Sequence, residues 1–188
     1  MLWDGTSFPR LALHMARLTQ GAGALGWDVP EARLRAALGG LGDVPMRVRL
    51  TLDAGGGVEV ETGPLPPVKA EWRVGLAKAR LWSGDPWLRV KSTNRAAYDA
   101  ARVGLAAGLD EVLLLNERGE VCDGTITTVF FDRGQGMRTP PLSCGLLPGV
   151  LRAGTACPEE VLMAADLAKT RLWVGNALRG LIPALWVG

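Results

Sequence analysis

At 188 residues, with 48% hydrophobic and 21% charged side chains, the chain can bury a sizeable core as one domain or two small lobes. Its 21 basic and 19 acidic residues leave a net charge of +2, too small a surplus to argue for nucleic acid or an anionic membrane surface as partner. The single histidine, His14, excludes a His-rich metal centre, and three cysteines without CxxC spacing (Cys122, Cys144, Cys157) read as reduced thiols. Chemistry must then rest on Lys, Arg, carboxylates, hydroxyls or a bound cofactor.

No apolar run approaches a membrane span, and the first residues lack the basic and apolar stretches of a secretion signal, so a cytoplasmic location is expected. Leu11, Met15, Leu18, Ala22 and Leu25 recur at helical spacing, and a second helix is predicted from Pro30 to Leu38, stopped by Gly39-Gly40. Arg47 to Leu52 and Val58 to Glu61 alternate polar and apolar residues about a glycine-rich turn, which predicts a β-hairpin. Those glycines are not a phosphate loop, since no helix and no GK[ST] follow them. Gly63-Pro64-Leu65-Pro66-Pro67 is a stiff connector, placing a boundary between lobes 1–66 and 67–188.

A strand is predicted within Trp72–Leu81 and another at Trp87–Val90, running directly into Lys91-Ser92-Thr93-Asn94-Arg95. A helix follows from about Asn94 to Ala107, with Gly108 as its cap. Glu111–Leu115 reads as a short buried strand, and Thr125–Phe131, rich in β-branched and aromatic residues, as another. Leu147-Pro148-Gly149-Val150-Leu151-Arg152 is a loop entering a helix, and a strand through Leu181–Val187 ends the chain. The reading is an α+β protein with mostly antiparallel strands. Lys91 draws attention because a lysine at the end of an element can hold its amine at the mouth of a site.

From Lys91 onward the order of segments resembles the class IV aminotransferases, the fold-type IV pyridoxal-phosphate enzymes. The landmarks are Lys91-x-x-Asn94-Arg95, Gly108 to Asn116, Gly119 to Thr125, Thr127 to Phe130, Thr139-Pro140-Pro141, Leu147 to Arg152 and Gly175 to Gly180. Upstream, His14-Met15-Ala16-Arg17-Leu18 is similar to the family's H-x-x-R-L helix.

The resemblance implies a two-lobed fold, with the small N-terminal lobe shortened relative to the family, and pyridoxal 5'-phosphate as cofactor. It makes Lys91 the Schiff-base amine and proton shuttle, a role suited to a desolvated lysine. It places the cofactor phosphate on Arg17 and on the backbone of Val150 and Leu151, and gives Asn176 a place in the last cofactor-contacting turn. Asp123 stands where the family usually has the glutamate that supports the pyridine nitrogen. Thr128 stands where an asparagine is common. Cys122 and Cys144 are expected to serve packing.

Among the family's activities, the Lys-x-x-Asn-Arg pattern and Asn176-Ala177-Leu178-Arg179-Gly180 look like the branch of 4-amino-4-deoxychorismate lyases. An aminotransferase acting on branched-chain or D-amino acids is the alternative, and a non-catalytic family member a further one. By the same analogy the partners are a small amino substrate and a second copy of the chain in a homodimer.

Overall fold

The computed structural model describes all 188 residues, Met1–Gly188, in two compact units, Met1–Val68 and Lys69–Gly188. The first unit holds strand β1 (Leu2–Trp3), helices α1 (Leu11–Ala24) and α2 (Glu31–Ala37), and strands β2 (Met46–Leu52) and β3 (Val58–Gly63). β1, β2 and β3 form an antiparallel sheet in that order. Met15 and Ala22, two turns apart on α1, share a buried face, and Leu34 of α2 and Val48 of β2 are wholly buried. The β2–β3 turn is a hairpin turn. The Asp53 carboxylate accepts the N–H groups of Gly55 (2.8 Å) and Gly57 (2.9 Å), and Gly56 adopts φ +77°, a left-handed conformation that favours glycine.

The second unit is a closed six-stranded barrel. Its strands are β4 (Trp72–Leu81), β5 (Glu111–Asn116), β6 (Val121–Gly124), β7 (Thr128–Asp132), β8 (Arg171–Asn176) and β9 (Gly180–Trp186), and β9 pairs back onto β4. All pairs are antiparallel except those of β4, which runs parallel to both β5 and β9. The parallel β4–β5 pair requires a crossover, which contains α3 (Ala96–Val103). A further helix, α4 (Val150–Thr155), lies between β7 and β8.

Side-chain alternation along the strands divides the core in two. Val74, Leu113, Leu115, Val129, Phe131, Leu172, Val174 and Ile182 form one buried cluster. On the other face Ala77, Val112, Leu114, Cys122, Cys144 and Leu146 pack beneath Ala97, Tyr98 and Ala101 of α3. All three cysteines are free thiols, and the Cys122 thiol donates to the Cys144 carbonyl at 3.1 Å. No helix is long and apolar enough to cross a membrane.

Three expected elements are corrected. Trp87–Val90 is not a strand: Pro86–Arg89 forms a 3-10 turn, because Pro86 suits a first helical turn and the Asp85 carboxylate caps the Trp87 N–H at 2.9 Å. α3 is shorter than predicted and ends at Gly104, whose N–H bonds the Ala100 carbonyl. Gly108, at φ +84°, belongs to the turn before β5 instead. Finally, β7 begins at Thr128, because Thr125-Ile126-Thr127 is drawn into a turn around the buried carboxylate of Glu111.

Candidate active site

The strand register of the second unit puts Asp123 opposite Thr128, and Thr128 opposite Gly175, in one row across β6, β7 and β8. Thr128 and Gly175 alternate with Val129 and Val174, so they face away from the cluster that those valines fill. The 147–150 loop crosses this row. The Leu147 N–H donates to Asp123 Oδ2 at 3.1 Å. At Gly149 an added Cβ would sit 2.6 Å from Thr128 Oγ1, so only glycine lets the backbone come this close to the threonine. Gly175 is under the same constraint: a Cβ there would lie 2.2 Å from the Gly180 carbonyl and 2.7 Å from Leu151 Cδ2.

Asp123 is the most perturbed acid of the unit. It is 4% exposed, and its Oδ1 has no hydrogen-bond partner. Burial pushes its carboxyl up to about 8, against the opposing influence of the Leu147 N–H and the positive charges of Lys91 and Arg152. Lys91 follows the 3-10 turn in a segment whose backbone bonds are local (Ser92 N–H to Val90 O, Arg95 N–H to Thr93 O). Its amine is close enough to favour the ionised form of Asp123. Tyr98, on α3, adds a second buried polar atom without a partner, its hydroxyl. Burial and then the Asp123 charge hold that phenol above its usual range.

At α4 the first helical bond runs from the Ala153 N–H to the Gly149 carbonyl at 3.0 Å. The N–H groups of Val150, Leu151 and Arg152 therefore precede the helical ladder. Both Val150 and Leu151 are buried. The Asn176 side chain serves its own neighbourhood: Oδ1 accepts from Leu178 N (3.1 Å) and Arg179 N (3.0 Å), and Nδ2 donates to the Ile126 carbonyl (3.1 Å). Arg17 belongs to the first unit, on α1, one turn beyond His14. Burial lowers the Arg17 guanidinium from its ordinary value. His14 is depressed to about 3 by burial and by the cationic N-terminus, Arg17 and Arg10, so its imidazole is neutral at physiological pH.

The second unit thus brings Lys91, Asp123, Val150 and Leu151 around one strand row. These residues fit pyridoxal phosphate: a buried carboxylate oxygen lacks a partner, the Lys91 charge acts on that carboxylate, and backbone N–H groups begin a helix after the loop that bonds it. Three further residues shape the site beyond the cofactor residues named from the sequence. Glu111, 0% exposed, accepts the hydroxyls of Thr125 (2.5 Å) and Thr127 (2.9 Å) and the Ile126 N–H (3.1 Å). Arg95 donates to the Thr125 carbonyl at 2.6 Å. Tyr98 supplies the buried phenol. A carboxylate opening an otherwise apolar strand was the signal available for Glu111; Arg95 stood out only as part of the Lys-x-x-Asn-Arg pattern, and nothing local in the sequence singles out Tyr98.

The model of the class IV aminotransferases matches residues 1–185. A candidate aminodeoxychorismate lyase of Schizosaccharomyces pombe is 35% identical over 162 residues, covering 80% of this chain and 68% of that protein. The crystal structure of a candidate amino-acid aminotransferase from Mesorhizobium loti is 43% identical, with a TM-score of 0.92 over 100% of this chain and 97% of that one. The 4-amino-4-deoxychorismate lyase of Pseudomonas aeruginosa shares the fold at 22% identity, with a TM-score of 0.81 over 99% and 81% of the two chains. The chain belongs to the class IV aminotransferase family of pyridoxal-phosphate-dependent aminotransferases and lyases.

Proposed function

We propose that the protein is a 4-amino-4-deoxychorismate lyase, converting 4-amino-4-deoxychorismate to 4-aminobenzoate and pyruvate as a cytoplasmic homodimer. The observation that carries this reading is the 35% identity with the Schizosaccharomyces pombe protein across most of both chains. The Lys91-x-x-Asn94-Arg95 pattern supports it.

Pyridoxal phosphate, when bound, supplies the electron sink for the carbon that loses its proton. Lys91 holds the cofactor, takes the proton from the amine-bearing carbon of the substrate and returns one to the departing enolpyruvyl carbon. Pyruvate leaves, and the ring becomes aromatic, which makes the release irreversible. Asp123 is the charge partner for the pyridine nitrogen. A positive charge held there would draw its buried carboxyl, raised to about 8, toward the anion that the site otherwise disfavours. The backbone N–H groups of Val150 and Leu151 would receive the phosphate. Asn176 holds the turn that flanks them.

Amino-group transfer to a keto acid is the second reading, favoured by the likeness to the Mesorhizobium loti protein. It shares the proton abstraction by Lys91 and differs in the fate of the carbon that has lost its proton. Turnover of aminodeoxychorismate with no keto acid present separates the two.

A further inference from the structure

Gly124-Thr125-Ile126-Thr127 is the turn that joins Asp123 to Thr128, and it is gripped from two sides. Beneath it the Glu111 carboxylate collects the Thr125 and Thr127 hydroxyls and the Ile126 N–H. The packing is tight: a Cβ at Gly124 would lie 2.3 Å from Thr127 Oγ1 and 2.8 Å from Glu111 Oε2. Above it two outward-facing carbonyls are taken by side chains from other elements. Asn176 Nδ2 takes the Ile126 carbonyl at 3.1 Å, and Arg95 Nη2 takes the Thr125 carbonyl at 2.6 Å.

Arg95 is itself held firmly. Its Nε donates to Asp99 Oδ1 at 2.7 Å, and its guanidinium lies 5.3 Å from the Tyr98 ring centroid. The planar guanidinium can make the Asp99 and Thr125 bonds at once, which a lysine ammonium at the same place cannot reproduce. Arg95 is four residues past Lys91, and its long reach crosses from the lysine segment to the turn that begins at Asp123.

We infer that Arg95 is a positioning residue: by fastening the Lys91 segment to the Gly124–Thr127 turn, it sets the lysine amine against the Asp123 carboxylate. The inference rests on the proposed roles of Lys91 and Asp123 but concerns a geometry that exists without cofactor. Five side chains act on or respond to Asp123: Lys91 and Arg152 favour its anion, Glu111 opposes it, and Tyr98 and Cys122 are themselves raised by its charge. Arg95 acts on the carboxylate through Lys91.

The test is a carbon-13 titration of aspartate carboxyls in cofactor-free protein, comparing wild type, K91A, R95K and the K91A/R95K double variant. Removing the lysine charge in K91A raises the Asp123 midpoint. R95K keeps the charge but loses the fork, and is expected to raise it by roughly half the K91A shift or more, an effect absent in the K91A background. R95Q, whose shorter single amide cannot span the Asp99 and Thr125 partners at once, serves if R95K does not fold, with the same expectation. A midpoint unmoved by the Arg95 variants, or an equal shift with and without Lys91, overturns the inference. Because no cofactor is present, a protein that never takes up pyridoxal phosphate sinks the functional reading and leaves this outcome to be decided separately.

Discussion

Asp123 and Thr128 face each other in register across β6 and β7, and a single loop crosses both, bonding the first through the Leu147 N–H and pressing Gly149 against the second. The carboxylate proposed to face the pyridine ring and the loop proposed to take the phosphate are therefore one mechanical unit. In the family pattern these two positions usually carry Glu and Asn; here both side chains are shorter, and the loop lies close upon them.

Replacing Asp123 by Asn preserves size and an acceptor for the Leu147 N–H but removes the charge. Activity of the loaded enzyme is expected to fall by about 10²-fold or more, the scale on which one preorganised electrostatic partner acts. Folding stability near pH 7 should rise, because the unfolded aspartate is ionised there, whereas the folded carboxyl, raised to about 8, must take up a proton to be buried. Steady-state kinetics and urea unfolding on the same preparation check both halves.

The same group gives a pH signature. The folded carboxyl binds its proton more tightly than the unfolded one, about 8 against 3.8, so its contribution to stability is complete below the lower value. It is lost as the pH rises through about 8. Cofactor-free wild type is expected to lose stability between pH 6 and pH 9, and D123N to lose less. Urea midpoints at the two pH values measure the difference.

Gly149→Ala places a methyl 2.6 Å from Thr128 Oγ1 and forces the start of α4 outward. The expected result is a roughly tenfold or greater loss of pyridoxal-phosphate affinity, measured by absorbance titration. T128A removes that oxygen and should restore much of the affinity in the double variant, a coupling that independent sites would not show.

Much of this architecture was legible in the chain, and the failures share a cause. Helix α1 and the β2–β3 hairpin follow from local periodicity and turn residues, and the structure has them within a residue or two of the expected limits. The Lys91, Asp123 and Gly149 segments were readable because glycine, proline and charge punctuate them at spacings that resemble a family. Thr125–Thr127 read as strand because its residue types favour strands, yet Glu111, fourteen residues before Thr125, bends it into a turn. Arg95 was legible only as part of the Lys91-x-x-Asn94-Arg95 pattern, because its bond to the Thr125 carbonyl spans 30 residues, and no local pattern records the burial of Tyr98. The parallel placement of β4 between β5 and β9 is likewise a property of barrel closure, not of any single segment.

Glu111→Ala removes the acceptor of two hydroxyls (Thr125, Thr127) and two N–H groups (Ile126, Val112), and the ion-pair partner of Arg102. With each such group costing about 1–3 kcal/mol, a loss of at least about 3 kcal/mol of stability is expected. Glu111→Gln, which still offers an acceptor, should lose less. Chemical unfolding of the two variants tests the order.

The decisive measurement is turnover of 4-amino-4-deoxychorismate by the purified enzyme loaded with pyridoxal phosphate, with no keto acid added, alongside K91A. A lyase of this design yields equal amounts of 4-aminobenzoate and pyruvate from the wild type, none from K91A, and a chromophore that borohydride fixes covalently to Lys91. No 4-aminobenzoate, together with transfer of amino groups from an amino acid to 2-oxoglutarate, would contradict the lyase reading and establish the aminotransferase in its place.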